Sequence, residues 1–279
     1  MSRVLPEILR LDPVRDNERI VFLSTRFDFP WDTTRALEFA LFRTFCVPSI
    51  SALLDRTGEF GQRAQKRYDD TDIIVSELIE HGYTGDRGKR ALRRMNQIHG
   101  RFEISNEDFL YVLSTFIYEP IRWNERFGWR PLCEVERLGY FHFWREVGRR
   151  MNIREIPGDY GEFERFNRDY ERQHYRYTDS NRRVGEATRE LFVSWFPGMF
   201  APVVRRVIHA MLDEPLRKAF GFPTPYPWEC SLVERAMRLR GWLLRFLPHR
   251  SRAHSRTSMP RPTYPNGYEL EELGPPAMR

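Results

Sequence analysis

Apolar residues recur along this chain at intervals of three and four, which is the spacing of one face of an α-helix. Residues 37–45 show this pattern, and residues 73–79 repeat it before Gly82, a residue type that often ends helices. The sequence contains no alternating apolar and polar run of useful length and no internal repeat. We therefore predict an all-α protein whose helices form a single globular domain over about residues 1–247.

The most apolar of these helices is predicted from Phe109 to about Trp123. Ser105 and Asp108 stand at its start in a capping pattern, in which a hydroxyl accepts a hydrogen bond from a backbone N–H of the first turn. Apolar side chains surround the whole helix, so we expect it in the centre of the domain. Pro120 should kink this helix or end it.

The end of the chain has a different composition. Residues 248–279 are rich in Arg, Ser, Pro and Gly and poor in apolar side chains, so we expect a disordered tail. The helix before it, Leu232–Leu247, has one apolar stripe with arginines beside it. Two interpretations stay open for this helix: a last core helix with a basic outer face, or a peripheral contact with an anionic membrane surface.

Composition and charge narrow the function classes. The chain has 279 residues, of which 41% are hydrophobic, and a formal net charge of +6. Acidic residues are interleaved with the arginines and no nucleic-acid reader motif occurs, so we expect no nucleic-acid partner. The sequence also lacks the glycine-rich nucleotide motifs and the serine-hydrolase motif.

The positions of the cysteines and the hydropathy of the chain indicate which metal sites and which cellular location to expect. Cys46, Cys133 and Cys230 lie far apart, which argues against a thiolate zinc site and against a disulfide framework. The run Asp69–Asp72 is interpreted as the acidic first turn of a helix rather than as a cation site. No signal peptide and no apolar stretch of membrane-spanning length are apparent, so we expect a cytoplasmic protein with at most surface contact to membranes.

Six strings carry a family resemblance: LDPVRDNERI, FDFPWDT, ALFRTFCVPSISALLDRTGEF, QKRYDDT, RRMNQIHGRFEISNEDFLYVLSTFIYEPIRW and GWRPLCEVERLGYFHFWREVGRRMNI. They resemble the MpaB and rubber-oxygenase family over about residues 5–247, most densely from Arg93 to Met151. The resemblance implies an all-α, globin-reminiscent fold and a b-type haem held by a histidine. It also implies an oxygenase that uses dioxygen to oxidise a large apolar, isoprenoid-like substrate.

One departure from the family pattern affects the cofactor. In the rubber oxygenases the proximal haem histidine aligns with a position inside the apolar helix, but here Phe109–Thr115 contains no histidine. The ligand therefore cannot be carried over by position. This keeps a second interpretation open, in which the chain is a non-catalytic helical module that binds a lipid or terpenoid or docks on a membrane.

His99 is the leading candidate for the iron ligand, because an imidazole can bind iron and this one ends a basic helix. Arg93, Arg94 and Arg101 are candidate partners for haem propionates, since a guanidinium binds a carboxylate with two hydrogen bonds. The structural alternative for His99 is a C-terminal helix residue that suits the helix dipole. His142, among aromatic residues, is the reserve ligand or an ordinary core histidine.

Two residues of the apolar helix complete the predicted site. Thr115 would donate a hydrogen bond to bound dioxygen, or else bond back to its own helix. Glu119 would act as a proton donor near the cofactor, or else form a structural ion pair with Arg122.

Overall fold

The computed structural model describes residues 2–248 and 250–275. These residues form fourteen α-helices, a few short 3-10 and π-helical turns and no strand, which confirms the all-α, single-domain prediction. The helices are α1 (Leu5–Ile8), α2 (Asn17–Leu23), α3 (Pro30–Phe45), α4 (Pro48–Thr57), α5 (Glu59–Gln62), α6 (Ala64–His81), α7 (Asp86–His99), α8 (Asn106–Phe127), α9 (Glu134–Arg150), α10 (Tyr160–His174), α11 (Asp179–Ser194), α12 (Ala201–Met211), α13 (Glu214–Phe220) and α14 (Pro227–Leu244).

Helix α8 is the central helix, as its composition predicted. The Ser105 hydroxyl accepts a hydrogen bond of 3.0 Å from the Asp108 amide and so caps the first turn. The helix continues through Pro120 to Phe127 rather than ending there. Proline removes one backbone hydrogen bond, and tight packing of α8 against α3, α9 and α10 compensates for that loss.

Two apolar clusters fill the interior on either side of the α3–α8 pair. The larger cluster joins α6, α7, α8 and α9, and the smaller one joins α3 to α11 and α13. Helix α6 ends at Gly82, whose φ of 67° lies in the region that favours glycine. That turn lets α7 return along α6, and the return carries His99 back to the start of α8.

The expectation of a disordered tail is wrong for residues 250–275, which we call the strap. Its side chains Tyr264, Leu270 and Leu273 are buried. Arg256 and Arg261 both form ion pairs with Asp72, at 2.9 and 2.5 Å. Composition misled here because the strap is held by polar and charged contacts to α6 and α7 as well as by its few apolar residues. The rest of the predicted tail, residues 249 and 276–279, lies outside the described residues.

The acidic run of α6 has a different role from the one expected. Helix α6 begins at Ala64, so Asp69, Asp70 and Asp72 lie in its middle and not in its first turn. Their carboxylates accept hydrogen bonds from Thr263 N, Tyr264 Oη and the Arg256 guanidinium. The acidic run is therefore the place where the strap is attached.

Helix α14 presents its apolar stripe to solvent. Leu232, Leu239, Leu243 and Phe246 are all exposed, whereas Gly241 on the other face packs against the end of α8. The interpretation of this segment as a core helix with a basic outer face is therefore wrong. Among residues 2–248 and 250–275, no single helix has both the length and the apolar character to cross a bilayer; α3 and α4 meet that test only as a pair, bent by 99°.

Candidate functional site

A narrow cavity lies between α3, α6 and α8, and one strap residue forms part of its wall. The space inside it, open mouth included, is about 470 Å³, and only a small part of that space is wide enough for a water-sized molecule. One wall is apolar, and the rest is polar or charged. The lining residues are Arg26, Thr33, Thr34, Leu37, Glu38, Leu41, Tyr68, Thr71, Asp72, Val75, Ser76, Ile79, Phe116 and Arg256.

Glu38 is the buried carboxyl group of this central cavity. It accepts hydrogen bonds of 2.6 Å from the Tyr68 hydroxyl and from Arg35 Nη2. Removal from solvent raises the pKa of Glu38 to about 7, even though the positive charge of Arg35 acts in the opposite direction. Glu38 can therefore take up or release a proton near neutral pH.

A second buried charge pair connects the cavity wall to the strap. Arg26 Nε lies 2.9 Å from Glu80 Oε1, and both side chains are almost fully removed from solvent. Burial lowers the pKa of Arg26 to about 10, against the opposing effect of Glu80. Glu80 also accepts hydrogen bonds from the strap hydroxyls of Ser255 and Thr257, at 2.8 and 2.7 Å. The opposite charges compensate each other, so the Arg26–Glu80 pair carries no net charge.

His99 is the last residue of α7, and its ring meets the Phe109 ring edge-on at 5.5 Å between centroids. Its Nδ1 atom is buried and has no hydrogen-bond partner among the described residues. Burial, followed by the positive charge of Arg67, lowers the pKa of His99 to about 4. The imidazole is therefore neutral at physiological pH, and the neutral form is the one that binds metals.

Arg67 links His99 to the cavity, and the sequence analysis missed it. Its guanidinium donates to the Thr71 hydroxyl one turn further along α6, and Thr71 lines the cavity. Removal from solvent lowers the pKa of Arg67, and no carboxylate within the described part of the chain comes within ion-pair distance of it. The sequence offers one indication of this contact, which is the i, i+4 spacing of Arg67 and Thr71 in QKRYDDT. The acidic run that begins in the same string is more conspicuous and drew attention away from Arg67.

The three predicted propionate partners occupy different environments. Arg93 and Arg101 are exposed on the surface. Arg94 is buried, and it donates from Nε and Nη2 to the Leu273 carbonyl oxygen of the strap, at 2.8 and 2.5 Å. The Nε and Nη2 atoms of Arg94 are therefore already occupied by the strap.

The reserve ligand His142 lies on α9 and is not among the residues that line the central cavity. Its ring contacts Phe141, with 5.1 Å between centroids. Burial, followed by the charge of Arg145, lowers its pKa, and Asp12 opposes this. His142 thus belongs to the packing of α9 near the N-terminal residues.

The two predicted residues of α8 are also placed away from His99. Thr115 is fully buried, and its hydroxyl donates to the Val112 carbonyl oxygen at 2.7 Å, as in the structural alternative. Glu119 accepts from Arg122 Nη1 at 2.8 Å and lies 3.4 Å from Arg43 Nε. Ten residues of helix, roughly 15 Å, separate Glu119 from the Phe109 position where His99 packs.

Glu119 instead lines a second, more open groove of about 1010 Å³ between α3 and α8. Four arginines line the same groove, and each has an acidic partner: Arg43, Arg122, Arg126 and Arg168.

Within the described ranges, no three His, Cys, Asp or Glu side chains are grouped so that they could hold a metal ion by themselves.

The fold and the site define an all-helical domain with a narrow cavity, and the neutral imidazole of His99 lies outside the residues that line it. Residues 39–245 match the family described as "ER-bound oxygenase mpaB/B'/Rubber oxygenase, catalytic domain". The chain belongs to this family, which confirms the resemblance seen in its sequence.

Three fungal relatives are similar to this chain. The ER-bound oxygenase mpaB' of Penicillium brevicompactum is 28% identical over 80% of the chain and 57% of its own length. The ER-bound oxygenase mpaB of Penicillium roqueforti (strain FM164) is 30% identical over 70% of the chain and 72% of its own length. The mpaB of P. brevicompactum is 34% identical over 46% of the chain and 34% of its own length. The chain thus spans little more than half the length of the mpaB' protein.

Proposed function

We propose that this chain is a haem-dependent oxygenase that acts on a large apolar, isoprenoid-like substrate. The family and its fungal relatives carry the name oxygenase. The observation that supports a haem site in this chain is the neutral His99 imidazole, whose buried Nδ1 atom has no hydrogen-bond partner in residues 2–248 and 250–275. A buried polar atom without a partner is costly unless something outside the described residues satisfies it.

The proposal assigns the haem b to His99, which lines neither the central cavity nor the second groove, so binding would require the helices around it to open. His99 would hold the iron through its imidazole. Arg67, largely buried and without an ion-pair partner in the described residues, would bind a propionate. It is better placed for this than Arg93 and Arg101, which are exposed, or Arg94, which is bound to the strap. A bound haem would supply the activation of dioxygen.

The chain's own residues would position the substrate and control protons. Burial together with the charge of Arg67 keeps His99 neutral and available as a ligand. The apolar wall, with Leu37, Leu41 and Phe116, would receive a hydrocarbon chain and exclude water. Glu38, hydrogen-bonded by Tyr68, holds a proton that it can exchange near neutral pH. Because the cavity is narrow, a large ligand can enter only if side chains of the wall move. The strap residue Arg256 belongs to that wall.

Absorption spectroscopy tests the cofactor. Protein purified from haem-supplied cells, or mixed with hemin, should show a Soret band with stoichiometric iron. The His99→Ala variant should lose the band, whereas the control His142→Ala should keep it. A colourless native protein after hemin addition would reject the haem, and a normal band in His99→Ala would reject this ligand. Oxygen consumption with an isoprenoid alkene, and mass spectra of the products, then test the activity.

The second candidate function is non-catalytic binding of a lipid or terpenoid in the same cavity. The observation that favours it is the absence of histidine from the buried stretch Phe109–Thr115 of α8. This function predicts a protein that binds no haem but releases an apolar molecule on solvent extraction, detectable by mass spectrometry.

A further inference from the structure

The exposed face of α14 and of the turn after it carries a row of apolar side chains, in which Arg235 stands between Leu232 and Leu239. Trp228, Leu232, Leu239, Leu243 and Phe246 follow one another at intervals of three, four and seven, so they share one face of the helix. Trp228 is 61% exposed and Phe246 is 70% exposed. Such a row is costly in water, and exposed apolar patches of this kind mark sites of interaction.

A second exposed row lies on the helix that packs against α14. In the 3-10 turn before α12, Met199 is 81% exposed and Phe200 is also exposed. Val203 and Val207 of α12 continue the row. Helices α12 and α14 contact each other, so the two rows lie on neighbouring helices. We call the exposed apolar side chains of residues 196–207 and 226–247 the docking face.

The charge around the docking face indicates its partner. Residues 226–252 contain six arginines and two acidic residues. Arg235 and Arg252 are exposed and have no ion-pair partner among the described residues. Tyr226, Trp228 and Trp242 are also exposed, and these aromatic types concentrate at the interface between lipid and water. Apolar side chains with arginines beside them fit a bilayer that carries anionic headgroups.

We propose that the docking face binds the surface of an anionic lipid bilayer, with the apolar rows of α12 and α14 inserted into the headgroup region. A second copy of the chain fits this face less well. A two-fold dimer would bring the arginines of one face opposite those of the other, and such repulsion opposes association. The proposal does not depend on haem or on the oxygenase activity, and it goes beyond them.

Vesicle co-sedimentation of the full chain tests the proposal. The protein should bind vesicles that contain phosphatidylserine and bind pure phosphatidylcholine vesicles at least tenfold more weakly. Leu243→Glu with Phe246→Glu around the end of α14 (the α14 pair), and Met199→Glu with Val203→Glu around the start of α12 (the α12 pair), should each reduce binding at least tenfold. These side chains are exposed, so the fold should tolerate the changes. The matched control is Leu9→Glu with Val14→Glu, two exposed apolar residues outside the docking face.

Substitution of two arginines tests the electrostatic part of the proposal separately from the apolar part. Arg235→Gln and Arg252→Gln should each weaken binding to phosphatidylserine vesicles about fivefold, and added salt should weaken it further. No binding by the native chain, or equal binding to both vesicle types, would overturn the proposal. So would native-like binding by the α12 pair, because the face would then not include α12. Light scattering that finds a dimer, broken by the α14 pair, would assign the face to a second copy instead.

Discussion

The hydroxyl of Tyr264 donates a hydrogen bond of 2.6 Å to Asp70 Oδ1 and so fastens the strap to the middle of α6. The other oxygen of Asp70 accepts from the backbone amide of Gly274 at 3.0 Å and from Lys66 Nζ at 2.7 Å. Both Asp70 and Tyr264 are buried. One carboxylate therefore holds the strap at two points that are ten residues apart.

The Tyr264→Phe variant removes this bond and keeps the ring. Hydrogen bonds to charged groups contribute more than neutral ones, so we expect the free energy of unfolding to fall by about 1–3 kcal/mol in urea titrations. Tyr177→Phe is the control, because its hydroxyl contacts Asp179 at the surface and should contribute less than about 0.5 kcal/mol. Equal losses in the two variants would show that the Tyr264–Asp70 hydrogen bond does not stabilise the strap.

Gly241 sets the distance between α14 and α8. A Cβ added there would lie 2.5 Å from the Phe127 carbonyl oxygen and 3.0 Å from that of Gly128, and neither backbone atom can turn aside. Gly241→Ala should therefore destabilise the protein by about 1–3 kcal/mol in thermal or urea unfolding. Gly61→Ala, a helical glycine with open space around it, should leave stability unchanged or slightly higher.

Glu38 should make the stability of the protein depend on pH. Its pKa is about 7 in the folded protein and 4.5 ordinarily, so the folded state binds more protons than the unfolded chain between these values. The stability that the protonated group contributes is present at low pH and is lost as the pH rises through about 7.

The Glu38→Gln variant cannot ionise and tests this dependence. Relative to the native protein, its free energy of unfolding should rise by about 2–3 kcal/mol between about pH 5 and about pH 8. Urea titrations at a series of pH values measure the difference. The exposed Glu103→Gln should follow the native curve, and a Glu38→Gln curve parallel to the native one would contradict the assignment.

Substitution of Glu119 should change the stability of the protein without changing cofactor binding at His99. Glu119→Gln weakens the ion pairs with Arg122 and Arg43, while Arg43 keeps Glu171 and Asp213, so we expect a loss of about 1–2 kcal/mol in stability. If the proposed haem is bound at His99, the Soret band should stay unchanged. If Glu119→Gln lost the band at nearly native stability, the cofactor would be assigned to the second groove instead.

Features that depend on local sequence were predictable. The apolar period gives the helices, Ser105 identifies the start of α8, and His99 stands out as a histidine at the end of a basic helix. Residue types and spacing within one or two turns determine all three, and a single sequence contains that information.

Features that depend on distant partners were not predictable. Composition indicates disorder for the strap, because the carboxylates that hold Arg256 and Tyr264 lie almost two hundred residues earlier in the chain. The period of α14 shows which side chains share a face, but it does not show whether another helix covers that face. Arg67 was missed for a similar reason, since its proximity to His99 arises from the packing of α6 on α7.

The strap comes after every helix in the order of synthesis. While the chain is still emerging from a ribosome, Arg256 has not yet reached Asp72, and the central cavity lacks that part of its wall. The helical body therefore passes through a stage in which its interior is more open than in the finished protein. A bulky molecule would therefore find its widest route to the cavity before residues 250–275 pack onto α6 and α7.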